Sequence, residues 1–310
     1  MQRHPAPLPP ILDSAATAAR LPWLALAEEI AAVLHDASVD VPARSVLPLP
    51  GGGRLFVMPA TDARVAMTKL ITFTPANAGT GRPTIQGDVV VFDIATGERR
   101  LVLDGPTVTA RRTAAVSLLA ARHLAQSPQG PLLIVGAGVQ GLAHLEAFVT
   151  GLGVTEVRVA SRSAAGALAL VQRAQAMGVR ASVVEDPDAQ MQHCPLVVTC
   201  TPAQGVVVSA TPRADAFIAA VGAFTPSMVE LGPDLCQQVA QQGLVVVDTE
   251  DAQHEAGDLL QAGIDVETLP NLRQVVHAPR EKLRGPVLFK SCGWGGWDLA
   301  AARLAARGAG

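Results

Sequence analysis

The 310-residue sequence contains no tyrosine and only 3% aromatic residues, so a tyrosine hydroxyl cannot be its general acid. Its four cysteines form no C-x-x-C pair, and none has a histidine at zinc-finger spacing. We therefore predict buried, reduced thiols and no metal site. The cysteines are Cys194, Cys200, Cys236 and Cys292.

Long apolar runs and clustered charge are also absent. No stretch approaches the roughly 20 apolar residues of a membrane span, and the first residues lack the apolar core of a secretory signal. The 24 basic residues are scattered and the net charge is −3, which argues against a nucleic-acid partner. We expect a cytoplasmic globular protein without a membrane partner, long enough for two domains.

The most informative segment is 131–162, PLLIVGAGVQGLAHLEAFVTGLGVTEVRVASR, in which glycines separate an apolar strand from a helix and a second strand. Gly136 permits a tight turn, Gly138 lets the backbone approach a pyrophosphate, and Gly141 lets the helix pack closely on the strand. The helix begins near Val139 and would offer unpaired N–H groups to the phosphates. This pattern predicts a dinucleotide site.

Further apolar runs favour that interpretation over ordinary strand-turn-helix packing. Leu132–Val135 is apolar throughout, as expected for a parallel strand buried on both faces. Similar runs, separated by segments long enough for crossovers, lie at 156–160, 181–184, 196–200, 217–221 and 244–247. We predict an α/β fold with one doubly wound sheet of five or six parallel strands, the architecture of a Rossmann domain.

The region before this sheet has a different organisation. Apolar spacing predicts helices over 22–34 and 109–125. Strands separated by Pro/Gly turns are predicted at 54–59, 65–71, 88–93 and 100–103. Because these strands lack regular helical crossovers, we expect an α+β domain with an antiparallel or mixed sheet. The predicted domains are 1–126 with 288–310, and 127–287 for the Rossmann part.

The end of the second Rossmann strand bears on the type of dinucleotide. NAD sites usually have an Asp or Glu about 20 residues past the glycines, but this chain has Ala160, Ser161, Arg162 and Ser163. A carboxylate would repel a 2′-phosphate, whereas the guanidinium of Arg162 can pair with one. The sequence therefore favours NADPH, with NADH as the alternative cofactor and a solvated Arg162 as the alternative interpretation.

Ligands bind at strand ends in open α/β sheets, and this rule supplies further candidates near the nicotinamide. The other candidate cofactor-binding residues are Thr113, Val139, Gln140, Thr201, Val221, Gly222 and Ser291. We interpret Cys292 as a packing thiol and His144 as a packed or capping residue. Trp294 and Trp297 are expected in the core, with a site wall or a dimer contact as the alternative.

Eight motifs occur in a fixed order over nearly the whole chain. They are VPARSVLPL at 41–49, VMPA at 57–60, AMTKL at 66–70, PTIQG at 83–87, DG…TARRTAAVS at 104–117, GAGVQG at 136–141, AVG…EL at 220–231 and LFKSCG…DLAAA at 288–302. In these motifs the chain resembles the ornithine cyclodeaminase and mu-crystallin family. The resemblance implies a substrate-binding and dimerisation domain beside a Rossmann domain, and a homodimer.

The resemblance also implies a trio of cations that binds the substrate carboxylate, at Arg44, Lys69 and Arg112. Arginine can hold a carboxylate bidentately, and charge-assisted hydrogen bonds contribute about 1.5–3 kcal/mol each. Lys69 lies in an apolar strand, where burial without a partner is costly, which favours a paired, functional lysine. Taken singly, each could be a surface charge, and we interpret Arg111 as helix surface.

Segment 220–231, AVGAFTPSMVEL, departs from the cyclodeaminases of the family. They carry a catalytic aspartate soon after the glycine, whereas this chain has Ala223 and Phe224 and no carboxylate until Glu230. An acid that activates water or ammonia is therefore missing. A carboxylate clamp and a hydride source remain, and this combination suits the reduction of a preformed cyclic imine.

The family branch with matching motifs reduces cyclic ketimines such as Δ1-pyrroline-2-carboxylate and Δ1-piperideine-2-carboxylate, in proline, hydroxyproline or lysine catabolism. PTIQG resembles that branch and implies that Thr84 and Gln86 lie near the imine, with a turn pair after Pro83 as the alternative. Three proton sources stay open: a protonated substrate, Lys69, or a water held by Thr84 or Gln86. The rival functions are ornithine cyclodeaminase, amino-acid dehydrogenase and a non-enzymatic NADPH-binding protein.

Overall fold

A computed structural model describes residues 9–77, 80–278 and 283–307. In chain order the helices are α1 Ser14–Ala19, α2 Trp23–His35, α3 Gly105–Leu124, α4 Val139–Leu152, α5 Ala164–Ala176, α6 Pro233–Gln242, α7 Gly257–Gln261, α8 Leu272–His277 and α9 Gly295–Arg307. The strands are β1 Ser45–Pro48, β2 Arg54–Thr61, β3 Val65–Phe73, β4 Ile85–Asp93, β5 Arg99–Asp104, β6 Leu132–Val135, β7 Glu156–Ala160, β8 Arg180–Val183, β9 Leu196–Thr199, β10 Phe217–Ala220, β11 Leu244–Val247 and β12 Val287–Lys290.

The chain divides into two compact units, Met1–Arg112 with Gly295–Gly310 (unit 1) and Thr113–Trp294 (unit 2). In the part of unit 1 that is described, β1 to β5 form an antiparallel sheet in sequence order. Side chains alternate between the two faces of such strands, and α9 packs on the sheet. Along β3 the residues Val65, Met67 and Lys69 form one buried row. The antiparallel sheet was one of the two predicted arrangements.

Unit 2 contains a parallel sheet, in which the described residues form seven strands in the order β11-β12-β10-β9-β6-β7-β8. Helices α4, α5 and α6 pack against its strands. Every residue of β6, β9, β10 and β12 is buried, as expected for the interior of a parallel sheet. The predicted α/β fold with a Rossmann sheet is confirmed, although the described residues form seven strands where five or six were predicted.

The unit boundaries differ from the predicted domains at both transitions. Helix α3 is continuous across the first boundary, so the Pro/Gly break at 127–130 does not separate the units. Strand β12 pairs in parallel with β10 and β11, and the chain returns to unit 1 only at Gly295. The run Val287–Lys290 is fully buried, which suits the middle of a parallel sheet better than an edge.

The cysteines, Trp297 and His144 are buried as predicted, whereas Trp294 is only half-buried. The four cysteines are free and buried, and Trp297 is fully buried in α9. His144 is buried as well: its Nδ1 lies 2.8 Å from the carbonyl oxygen of Gln140 and must donate to it, so Nε2 accepts from the Ser117 hydroxyl at 2.9 Å. Burial lowers the pKa of His144 to about 4, which keeps it neutral. Among the described residues, no helix is long and apolar enough to cross a membrane.

Candidate functional site

The glycine turn follows β6, and its glycines differ in what the fold requires of them. Gly136 has a φ of +113°, and a Cβ there would lie 2.8 Å from the carbonyl oxygen of Cys200. A Cβ on Gly141 would lie 2.1 Å from the carbonyl oxygen of Gly136. In contrast, a Cβ on Gly138 would meet no protein atom within 4 Å, and the φ of Gly138, −87°, suits any residue. The open space at Gly138 leaves room for a ligand to approach the backbone closely.

Helix α4 begins at this turn without a polar cap. Its N-cap residue is Gly138, and its first turn contains no acidic residue. The first N–H groups of a helix have no acceptor within the helix, and here they belong to Val139, Gln140 and Gly141. These N–H groups and the positive end of the helix dipole fit a pyrophosphate.

The structure brings most of the other predicted cofactor residues to the carboxyl edge of the parallel sheet. Strand β6 lies between β7 and β9, where the strand order reverses and ligands of such sheets bind. The residues and the strands they follow are Ser161 and Arg162 after β7, Thr201 after β9, Val221 and Gly222 after β10, and Ser291 after β12. Thr113 lies instead within α3, where it is buried.

The loop after β7 presents a cation and two hydroxyl groups. Arg162 is exposed, and it forms no ion pair with another described residue. The Ser163 hydroxyl caps α5 by accepting from the N–H of Gly166 at 3.1 Å, and the Ser161 hydroxyl accepts from the N–H of Ser163 at 3.2 Å. A guanidinium and hydroxyls without a neighbouring carboxylate fit a phosphate group.

A fully buried carboxylate, Glu230, connects the ends of β9 and β10. Its Oε1 accepts from the N–H of Thr201 at 2.6 Å and from the Thr201 hydroxyl at 2.9 Å. Its Oε2 accepts from the N–H of Gly222 at 2.7 Å and from the Thr199 hydroxyl at 3.1 Å. Burial raises the pKa of Glu230, although the charge of Lys290 acts in the opposite direction. The network holds Thr201 and Gly222 at the sheet edge.

Asp258 and Lys290 form a fully buried ion pair at 2.6 Å that supports the loop after β10. Asp258 Oδ1 accepts from the N–H of Glu230 at 2.5 Å, and Lys290 Nζ donates to the carbonyl oxygen of Ala223 at 2.6 Å. Burial lowers the pKa of Lys290, but the charge of Asp258, its hydrogen bond and the other nearby acidic groups together leave it raised. Ala223 is buried, while Phe224 is 47% exposed. Sequence reasoning missed this pair, although FKSCG contains the lysine.

The predicted residue Ser291 is held by another buried carboxylate. Its hydroxyl donates to Asp248 Oδ2 at 2.8 Å, and the same oxygen accepts from the N–H groups of Cys292 and Gly293. Burial raises the pKa of the Cys292 thiol far above its usual range, which agrees with a packing role. The hydroxyl of Ser291 is therefore committed to the protein.

In unit 1, two of the predicted cations converge on a carboxylate that sequence reasoning missed. Lys69 Nζ lies 2.7 Å from Asp298 Oδ2, and Arg112 Nε lies 3.3 Å from Asp298 Oδ1. Lys69 and Asp298 are fully buried, and Arg112 is 8% exposed. Asp298 stands in the first turn of α9, in the DLAAA motif. The signal in the sequence that could have revealed Asp298 is an acidic residue within an alanine-rich helix.

The charge state of Lys69 depends on this cluster. Burial lowers its pKa from 10.5 to about 8; Asp298 acts to raise it, whereas the charges of Arg112 and Arg44 lower it further. Arg44 is exposed directly before β1, and its charge reaches Lys69. With Lys69 protonated, three cations and one carboxylate leave a positive charge, which suits an anionic substrate.

Arg112 has unused hydrogen-bonding capacity. Its contact with Asp298 is an ion pair, but its buried Nε makes no hydrogen bond. Other described residues provide no hydrogen-bond partner for its guanidinium either. Because buried polar groups are normally hydrogen bonded, these donors fit a bound carboxylate.

Thr84 and Gln86 are not brought to this cluster. In the sheet, Lys69 pairs with Val89, whereas Gln86 pairs with Thr72, three positions further along β3. The Gln86 side chain is exposed and donates to the carbonyl oxygen of Pro83 at 3.4 Å, and neither residue forms a hydrogen bond with Lys69. This geometry matches the alternative interpretation, a turn pair after Pro83.

A Rossmann-type sheet with a glycine turn in one unit, and an antiparallel sheet with a buried cation cluster in the other, define a two-domain dinucleotide-binding class of protein. Within it, the chain belongs to the ornithine cyclodeaminase/mu-crystallin family, whose model matches residues 20–307.

Named relatives are similar over almost the whole chain. The Delta(1)-pyrroline-2-carboxylate reductase 1 of Burkholderia multivorans is 38% identical to this chain, and the match covers 96% of this chain and 94% of the relative's chain. The Delta(1)-pyrroline-2-carboxylate/Delta(1)-piperideine-2-carboxylate reductase of Azospirillum brasilense is also 38% identical, over 97% and 98%. A solved structure of Thermococcus litoralis Delta(1)-pyrroline-2-carboxylate reductase with NADH and L-proline has the same fold, with a TM-score of 0.81 and 22% identity over 96% and 94%.

Proposed function

We propose that this protein reduces cyclic imine carboxylates with NADPH, converting Δ1-pyrroline-2-carboxylate to L-proline and Δ1-piperideine-2-carboxylate to L-pipecolate. The observation that carries the proposal is Arg112, a buried arginine with an ion pair but no hydrogen bond, next to Lys69. The names of the two bacterial relatives support the same reaction. We place this proposed reaction in proline, hydroxyproline or lysine catabolism.

Each cation has a defined task in this reaction. Arg44 and Arg112 bind the carboxylate, which fixes the C=N bond and makes hydride transfer effectively unimolecular. A bound reduced nicotinamide dinucleotide supplies the hydride to the imine carbon. The nitrogen takes the C=N π electrons and needs one proton, which Lys69 Nζ gives. A pKa of about 8 suits a general acid that works near neutral pH.

Two features favour this reaction over the cyclodeaminase. The buried Ala223 and the exposed Phe224 provide no acid where those relatives carry an aspartate. Glu230, the next carboxylate, already accepts four hydrogen bonds from Thr199, Thr201 and Gly222. It is therefore committed to holding the loop and does not replace the missing acid.

NADPH is the preferred cofactor in this proposal. The loop after β7 offers the Arg162 guanidinium, which has no described ion-pair partner, and no carboxylate that would repel a 2′-phosphate. The glycine turn and the uncapped start of α4 hold the pyrophosphate. NADH should serve less well, because it leaves Arg162 without a ligand phosphate.

The direct test follows NADPH absorbance at 340 nm in the presence of purified protein and each cyclic imine. We expect oxidation with both pyrroline-2-carboxylate and piperideine-2-carboxylate. We expect much slower oxidation with 1-pyrroline, which has the C=N bond but no carboxylate for the clamp. Ammonia release from ornithine, or alanine oxidation with NAD, would select a rival function. NADPH binding without turnover on any of these compounds would indicate a binding protein.

We further propose a homodimer. The face of the unit 1 sheet that points away from α9 is rich in apolar side chains, among them the partly exposed Leu47 and Leu70. A second copy of this chain would cover such a face, since exposed apolar area of this kind marks interaction sites. Light scattering on a sizing column should find two chains per particle, and one chain would contradict the proposal.

A further inference from the structure

The carboxylate at the centre of the cation cluster has a task of its own. We infer that Asp298 is a positioning residue for the proposed imine reduction: it fixes Lys69 relative to Arg112 and keeps the lysine charged, so that Nζ can give a proton. The inference rests on the proposed function, but it concerns a residue outside the clamp.

The geometry assigns one oxygen of Asp298 to each cation. Oδ2 accepts a hydrogen bond from Lys69 Nζ at 2.7 Å, and Oδ1 lies 3.3 Å from Arg112 Nε. The carboxylate itself is fully buried, so water does not compete for it. One rigid planar group therefore sets the distance between the side chain that holds the substrate and the side chain that gives the proton.

The neighbouring element holds Asp298 in place. Helix α9 packs on β2 to β5, and Trp297 and Leu299, which flank Asp298, are fully buried. A Cβ on Gly295, the first residue of α9, would lie 2.9 Å from Val41 Cγ1, so the beginning of the helix is tightly packed. The carboxylate cannot follow Lys69 if the lysine moves, and it therefore acts as a fixed reference.

The charges that face Lys69 come from three parts of unit 1. They are Asp298 on α9, Arg112 on α3 and Arg44 before β1. Burial and both arginines lower the pKa of Lys69, and Asp298 is the charge that opposes them. Without Asp298, a buried lysine would face only positive groups, and it would lose its proton at a lower pH.

Asp298→Asn tests this role because it keeps the shape and removes the charge. In the parent protein we expect the basic limb of kcat/KM near pH 8, since this parameter reports groups of the free enzyme. The variant should move that limb to lower pH by about one unit, so that kcat/KM falls about threefold at pH 7.5 and about tenfold at pH 9 and above. Titration of the substrate C=N group is common to both proteins and does not contribute to the difference.

Asp62→Asn is the matched control for stability. Asp62 is a buried carboxylate of unit 1 that pairs with Arg303 at 3.1 Å, outside the cluster. Its loss should lower Tm and leave the basic limb unchanged. An unchanged limb in Asp298→Asn as well would overturn the inference and leave Asp298 a purely structural ion-pair partner.

Binding of pyrrole-2-carboxylate, a flat analogue that cannot be reduced, separates this inference from the proposed function. Calorimetry should show that its affinity for the parent protein falls as pH rises through about 8, and that the fall begins at lower pH in Asp298→Asn. This result would support Asp298 even if no imine were reduced, whereas equal pH profiles would refute it.

Asp298→Glu keeps the experiment decisive if the asparagine variant does not fold. The longer side chain retains the charge and displaces it by about one methylene. We expect the basic limb to stay near pH 8 while kcat falls, because the lysine remains charged but is misplaced. A limb displaced to lower pH in this variant would contradict the inference.

Discussion

Arg112 combines burial with unused hydrogen-bonding capacity, and this combination can be tested at a single residue. Arg112→Ala removes the proposed carboxylate ligand while Lys69 still pairs with Asp298, so the fold should persist. We expect KM for pyrroline-2-carboxylate to rise about 10- to 150-fold, the equivalent of the about 1.5–3 kcal/mol of a charge-assisted hydrogen bond. Steady-state kinetics with saturating NADPH measure the change.

Arg122→Ala is the control for that substitution, because Arg122 lies on the same helix and is exposed. Its KM should match that of the parent protein, and both variants should bind NADPH normally. A normal KM in Arg112→Ala would remove Arg112 from the carboxylate site.

Arg162 is the residue on which the cofactor proposal depends. Arg162→Ala should lower kcat/KM for NADPH by about tenfold and leave kcat/KM for NADH nearly unchanged, because only NADPH carries the 2′-phosphate. Arg273→Ala, an exposed arginine elsewhere in unit 2, should change neither value. Equal losses of kcat/KM with the two cofactors would mean that Arg162 does not bind the 2′-phosphate.

The sequence predicted the residues that carry positive charge better than the carboxylates that hold them. Lys69 and Arg112 stand in recognisable motifs, whereas Asp298 is more than 180 residues further along the chain and meets them only through the packing of α9 on the sheet. Glu230 was visible as a carboxylate, but its four hydrogen bonds depend on the paired ends of β9 and β10. Long-range contacts of this kind leave no local pattern.

The turn between β6 and α4 gives a prediction for an element rather than a side chain. Gly138→Ala introduces a Cβ that meets no protein atom, so Tm should hardly change, but NADPH binding should weaken by about tenfold or more, or ~1.4 kcal/mol. Gly141→Ala forces a Cβ against the carbonyl oxygen of Gly136 and should destabilise the protein by about 1–3 kcal/mol.

Thermal unfolding and quenching of protein fluorescence by NADPH distinguish these two outcomes. Each variant serves as the control for the other, since they change the same turn by the same methyl group. A large loss of stability in Gly138→Ala, or normal NADPH binding in that variant, would show that the backbone at 138 does not approach the cofactor.

Buried strands were predictable as elements, but their order was not. The run Leu132–Val135 and its successors have the continuous apolar character that parallel sheets require, and all became strands. The position of β12 between β10 and β11 could not be read, because a short apolar run does not specify its neighbours. Helix α3 begins four residues before the predicted start, since Asp104 accepts from the N–H of Thr107 and Pro106 is tolerated in a first turn.

At the scale of the whole molecule, the two proposed binding sites draw on different units. The cations proposed to bind the imine carboxylate belong to unit 1, and the glycine turn proposed to bind the dinucleotide belongs to unit 2. Substitutions in one cluster should therefore change the affinity for one ligand and spare the other. This division was predictable because the two motifs lie in segments with different sequence patterns. Around Lys69, apolar residues repeat every two positions, as in strands, whereas around Gly136 strand patterns alternate with helix patterns.

The central claim is that hydride passes from the reduced cofactor to the imine carbon, and one labelling measurement tests it. The protein is incubated with Δ1-pyrroline-2-carboxylate and NADPH that carries deuterium at both C4 positions, and the product is analysed by mass spectrometry and NMR. We expect L-proline with one deuterium at C2, formed in equal amount to the NADP produced. Proline without deuterium at C2, or no proline while NADPH remains intact, would contradict it.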